Sequence, residues 1–365
     1  MKLSKKKRSV LLVIFILLLT VIVAILMLMG KTFSKKEKIG IIITGSIDED
    51  GWNGMHYTGA SEACRELGCE LLVKENIKEF CGSCGPAAEE LIAKGCKMII
   101  LTSFGYPEEI KDIIENNPDV SFYNNDFNFH GDNVTAFFAR MYQARYLAGI
   151  AAGMQTETGN IGYVAAMPTS EVNRGINAFT LGVRRVNPDA KVTVAWSASW
   201  DSEEEERRLA DALIEEVGAD VLTYHQNKTY TAEEAEKHGV YSIGYHQSLE
   251  QHSDKYLGAV VCDWKLTYEA IIKQYMKGST SDIKIYWVGM EENAVKLSEL
   301  SPIISEETKA EITKATNELL SGQDVFSGVI YDTEGNLRCK ENQTIRDEII
   351  LEQFDWYVEG VCFYE

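Results

Sequence analysis

Cys81-Gly82-Ser83-Cys84 is the one close cysteine pair in the chain, and a Cys-x-x-Cys can hold a metal, shuttle electrons or close a plain disulfide. Zinc would want a second pair at matching spacing. A redox pair of the thioredoxin kind would follow a buried strand, whereas this one follows the polar stretch Lys74 to Glu79 and opens a helix. A structural bridge or idle thiols are therefore favoured over metal or redox work. The six histidines are scattered without ligand spacing, so His225 reads as a hydrogen-bonding group. The sequence holds no Gly-x-Ser-x-Gly elbow, P-loop, His-Glu-x-x-His or dinucleotide fingerprint. The expectation is a chain that is not an enzyme, with no cofactor and no metal.

The residues with something to offer are aromatic, and they sit just past strand ends. Lys38 to Thr44 reads as a strand and runs into Gly45-Ser-Ile-Asp-Glu-Asp-Gly-Trp-Asn53, which presents an indole where a helix begins. Ligands of open α/β sheets bind beyond the carboxyl ends of strands. Applying that rule along the chain singles out Trp52, Asn53, Phe104, Tyr106, Trp200, His225, Gln226, Tyr245, Asp263 and Trp264. Rings facing a cleft can sandwich a planar heterocycle, each stack being worth about 1 kcal/mol or more. A carboxylate or amide then reads the ring's N–H groups, and a missing partner costs about 1–3 kcal/mol. Trp196 and Trp287 lie inside strands and read as packing.

Positioning those residues requires strands alternating with helices. Strands are expected at Lys38–Thr44, Glu70–Val73, Lys97–Thr102 and Ser121–Tyr123, with helices at Asn53–Leu67, Gly85–Lys94, Pro107–Asn116 and Met141–Gln155. A second series restarts at Asn160–Ala165 and runs to the helix Trp264–Lys277. Near-continuous apolar strands separated by helices indicate parallel sheets covered on both faces. The reading is two doubly wound lobes joined by a hinge: 38–155, then 156–282, with 283–365 crossing back between them.

The start of the chain differs in kind. Lys2, Lys5, Lys6, Lys7 and Arg8 precede an apolar run from Val10 to Met29, which as a helix spans roughly 30 Å. Residues 1–30 are read as an uncleaved anchor rather than a removed signal, 31–37 as a juxtamembrane linker, and the rest as extracytoplasmic. The net charge of −19 repels phosphates and argues against nucleic acid as a partner.

From about Lys38 to Val361 the chain resembles the basic membrane protein (BMP) family of ABC-transporter substrate-binding proteins. The strings that carry the resemblance are Gly51-Trp-Asn53, Thr102-Ser-Phe-Gly-Tyr106, Gly149-Ile-Ala-Ala-Gly-Met154, Glu171-Val-Asn-Arg-Gly-Ile-Asn-Ala-Phe-Thr-Leu-Gly182, Ser199-Trp-Asp201 and Asp355-Trp-Tyr-Val-Glu-Gly-Val361. The resemblance implies a type I periplasmic-binding-protein fold, a purine or nucleoside ligand, and a permease and ATPase as partners. It also implies that Trp52 and Trp200 stack on the base from opposite lobes, with Asn53, Tyr106 and Asp263 as polar or rim contacts. The aspartate that holds ribose hydroxyls in nucleoside binders is missing, because the sequence reads Gly244-Tyr-His-Gln247. That tilts the expectation toward a free base such as adenine, although Lys265 keeps a nucleoside open. The family's lipid-bearing cysteine is also absent after the apolar run, so the alternative is a membrane-anchored sensor using the same clamshell.

Overall fold

In a computed structural model the described residues are 14–21, 36–49, 51–127, 129–246, 253–278 and 285–365. Residues 14–21 form a short exposed helix, α1. The rest of the run Val10–Met29 lies outside the described residues. Among the described residues no helix is long and apolar enough to cross a membrane.

The first lobe begins with β1 (Lys38–Ile42), α2 (Trp52–Leu67), β2 (Glu70–Lys74), α3 (Cys84–Ala93) and β3 (Met98–Leu101). It continues through α4 (Tyr106–Glu109), α5 (Lys111–Asn116), β4 (Ser121–Asn124) and β5 (Val134–Ala139). After α6 (Met141–Gln155) come β6 (Asn160–Ala165), α7 (Ser170–Val186), β7 (Lys191–Trp196), α8 (Glu203–Glu215), β8 (Val221–His225) and α9 (Tyr230–His238). Next are β9 (Tyr241–Tyr245), β10 (Tyr256–Cys262), α10 (Trp264–Met276), β11 (Ile285–Val288), β12 (Val295–Leu297) and α11 (Glu306–Leu320). The hairpin β13 (Ile330–Tyr331) and β14 (Leu337–Cys339), then α12 (Asp347–Glu352) and β15 (Val361–Phe363), close the chain.

The first sheet has the order β11-β5-β4-β3-β1-β2 and the second β12-β10-β9-β8-β6-β7-β15. Within these two sheets every pairing is parallel except β10 with β12. Strand interiors such as Ile39, Ile41, Met98 and Ile100 are fully buried, as parallel strands covered on both faces must be. The fold is thus two doubly wound α/β lobes.

Helices change sides as the chain crosses. α6, which the sequence reading kept with the first lobe, packs against α7, β10 and β12 of the second. Glycine makes that contact possible: a Cβ on Gly149 would stand 2.0 Å from the Phe179 carbonyl oxygen. In exchange α10, which follows a strand of the second sheet, packs on α2 of the first. β11 then joins the first sheet and β12 the second. The expected single helix Pro107–Asn116 is broken at Ile110, where the chain leaves helical geometry (φ −112°, ψ 21°) between α4 and α5. All eight cysteines are free thiols, so no bridge joins Cys81 to Cys84. The Cys81 thiol instead donates to the Lys78 carbonyl at 2.9 Å.

Candidate functional site

Residues just beyond the carboxyl ends of strands in both sheets line one cavity of about 330 Å³. Thr44, Thr102 to Phe104 and Asn125-Asp126 follow β1, β3 and β4, and Phe138 comes from the end of β5. Across from them, Met167 and Thr169 follow β6, Ala198 to Asp201 follow β7, His225 to Asn227 end β8, and Tyr245-His246 end β9.

Trp52 opens α2 and is held rigidly. Its Nε1 donates to the Thr102 carbonyl at 3.0 Å, and its ring touches those of His56, His246 and Trp264. The tight approach to α2 needs glycine, since a Cβ on Gly54 would lie 1.9 Å from the Glu49 carbonyl oxygen. Trp200 stands on the other wall, half-buried, with Phe104 as its ring neighbour from the first lobe at 6.2 Å. Gln226 secures its loop: with the amide oxygen toward Ser197 Oγ, its nitrogen donates to the carbonyls of Ser199 at 2.8 Å and Trp200 at 3.3 Å.

The polar wall is built around α7, whose first turn is capped by Thr169 accepting from the Val172 amide. Glu171 and Arg174 project from that turn into the cavity. Glu171 Oε1 accepts from His225 Nε2 at 3.0 Å and from the Tyr245 hydroxyl at 3.4 Å. Burial raises the Glu171 carboxyl, but His225, Arg174 and Arg145 outweigh it and hold the group below its ordinary range. Burial keeps His225 below the usual imidazole value, against the pull of Glu171. A neutral His225 donating to an ionised Glu171 satisfies both. Arg145 lies beneath, its guanidinium 3.9 Å from the Tyr245 ring centre, and donates to the Tyr224 carbonyl at 2.9 Å.

Two ion pairs cross the mouth. Glu49 of the first lobe meets Lys228 of the second at 3.1 Å, and Lys78 of the first meets Asp201 of the second at 3.0 Å. Burial works to raise the Glu49 carboxyl, but hydrogen bonds from the Ser46 amide and Asn53, with the Lys228 ammonium, bring it below the ordinary value.

Of the residues singled out in the sequence, Trp52, Phe104, Trp200, His225, Gln226 and Tyr245 come together on this wall. The other four stand off it. Asn53 is buried and links Glu49 to the Thr44 hydroxyl. Tyr106 turns its ring into the core under α3 and donates to the Ile77 carbonyl. Asp263 is exposed and caps α10 by accepting from the Leu266 amide. Trp264 is buried behind Trp52. Glu171, Arg174, Asn125-Asp126, Phe138 and the loop Lys78 to Phe80 were not found by the strand-end reading. Asn125-Asp126 directly follows β4 and obeys the same rule.

Among the described residues the one group able to surround a metal is Asp211, Glu234 and His238, between α8 and α9. Arg207 and Lys237 already pair with Glu234 there, so the group reads as an ion-pair network.

Two parallel-sheet lobes facing each other across a ring-lined cavity form an architecture that can enclose a small molecule. The chain belongs to the Bmp family, ABC transporter substrate-binding proteins of the PnrA-like type, which it matches over residues 36–324. The family implies a small-molecule ligand, an ABC permease as partner, and an extracytoplasmic place of work. A purine-binding protein of Brucella abortus is 32% identical over 341 residues, 90% of this chain and 93% of the relative. A Haloferax volcanii protein named for glucose binding by an ABC transporter is 32% identical over 88% of this chain and 79% of its own. The crystal structure of a transcriptional activator of the comK gene from Bacillus halodurans shares the fold, with a TM-score of 0.67 at 19% identity, covering 78% of this chain and 98% of that one.

Proposed function

We propose that the protein captures a planar purine-type ligand as a free base and presents it to an ABC permease, held to the membrane by the run Val10–Met29. The observation that carries the reading is the pair of aromatic walls: Trp52, Phe104 and Phe138 on one lobe, Trp200 and Tyr245 on the other, around one cavity. Flat rings on both sides favour a flat guest. The Brucella relative's purine binding supports the choice of heterocycle.

A free base suits the site better than a nucleoside. The family resemblance implies a ribose-holding aspartate after Gly244 in nucleoside binders, and here Tyr245 and His246 line the cavity at that point with rings instead. His246 is buried, at φ 68°, with its ring 4.9 Å from that of Trp52. Lys265 points away to Glu66 at 2.7 Å. Binding works by closure: the ligand meets both walls only when the lobes are together, so its preference for the closed form shifts the population.

The second reading is a sugar, favoured by the Haloferax relative at equal identity. Calorimetric titration with purine bases, nucleosides and glucose tests the two. Binding of a base supports the proposal; binding of glucose alone replaces it.

A further inference from the structure

Arg174 is 3% exposed and lines the cavity. It lies 5.3 Å from the centre of the Phe138 ring and 5.7 Å from that of Trp287. Among the described residues these ring contacts are its close partners, and the acids that act on it, Glu171 and Asp126, do so through charge rather than through a hydrogen bond. Asn125, 4% exposed on the same cavity, has an amide Nδ2 that likewise has no acceptor. These donors, with Trp200 Nε1 on the facing wall, await acceptors that an occupant of the cavity can supply.

The charges nearby restrict what that occupant is. Glu171 and Asp126 both act electrostatically on Arg174, so its positive charge is offset from the protein side. A neutral acceptor is enough. An anionic group would meet Glu79, Asp126 and Glu171 on the same walls, which disfavours phosphate-bearing nucleotides.

The shape of a guanidinium restricts it further. Its planar fork wants two acceptors side by side. A 6-oxopurine offers O6 and N7 in that arrangement, whereas adenine puts the N6 amino donor beside N7. Adenine placed there would set donor against donor. We infer that Arg174, assisted by Asn125, makes this cavity selective for 6-oxopurine bases such as hypoxanthine and guanine over adenine. The inference rests on the purine reading above and reverses the preference for adenine taken from the sequence.

The test is calorimetric titration of the full-length chain in detergent with hypoxanthine, guanine and adenine separately. The oxopurines are expected to bind at least about tenfold more tightly than adenine. Arg174→Lys, which keeps the charge but loses the fork, is expected to shrink that ratio to about threefold or less. Asn125→Ala, with folding checked by circular dichroism, is expected to weaken hypoxanthine more than adenine and serves if the lysine variant does not fold. Adenine binding as tightly as hypoxanthine in the unaltered protein overturns the selectivity and leaves the purine reading standing. No heat with any of the three bases overturns both.

Discussion

The ring of Trp264 stands 5.5 Å from that of Trp52 at 80°, edge to face, so the indole on the first wall rests on a buried indole behind it. Behind Trp200 no tryptophan stands, and among the described residues the rings that approach it are those of Phe104 and His225. The two tryptophans thus carry different burdens. Trp200→Ala is expected to weaken base binding about tenfold or more with a melting temperature changed by about 2 °C or less. Trp52→Ala is expected to lose a similar factor and also to melt several degrees lower, because it leaves Trp264 and His56 facing a hole. Calorimetry and thermal melting on both variants check this, and an unchanged affinity in Trp200→Ala would sink the two-wall reading.

Lys228→Met removes one of the two ion pairs across the mouth. Both pairs are partly exposed, so each is worth about 1 kcal/mol or less. Ligand dissociation, followed by stopped-flow tryptophan fluorescence, is expected to speed up by about two- to fivefold, with the association rate little changed. The difference from the parent should fade in high salt.

Asp263→Ala separates capping from binding. Loss of the α10 cap costs about 1 kcal/mol and should lower the melting temperature by about 2–4 °C, while base affinity stays the same. A tenfold loss of affinity would mean that Asp263 belongs to the site after all.

Glu206 gives a dependence on pH. Its carboxyl is fully buried in the first turn of α8 with no hydrogen-bond partner for either oxygen. Burial, reinforced by Asp201, pushes it up to about 8 from an ordinary 4.5. Between those values the folded chain keeps a proton that the unfolded chain has released, so this group's contribution to stability falls as pH rises and levels off above 8. Glu206→Gln is therefore expected to melt higher than the parent at pH 8.5, by about 3 °C or more, and to show no gain at pH 4.5. Equal differences at the two pH values would contradict this account.

The alternation of strand and helix was legible because parallel strands such as Ile39–Ile42 and Met98–Leu101 are apolar throughout and punctuated by polar turns. β5 was missed for a local reason. Val134-Thr-Ala-Phe-Phe-Ala139 runs into α6 with only Arg140 between them, so no turn marks where the period changes from two to 3.6. Phe138 went unread with it. The strand-end rule found the loops but not the rotamers: Tyr106 and Asn53 follow strands, yet their side chains serve the core and the Glu49 turn. Glu171 and Arg174 sit further along, on a helix face that only the three-dimensional turn after Thr169 aims inward. The side-swapping of α6 and α10 depends on contacts between distant segments, which periodicity does not encode.

The mouth carries an acid and a base on each lip, arranged with opposite polarity: Glu49 and Lys78 on one, Lys228 and Asp201 on the other. Sliding the halves by one partner would set Glu49 against Asp201 and Lys78 against Lys228. Misaligned shutting is thus penalised by repulsion at both posts at once, and the rim works as a keyed plug that accepts a single registration.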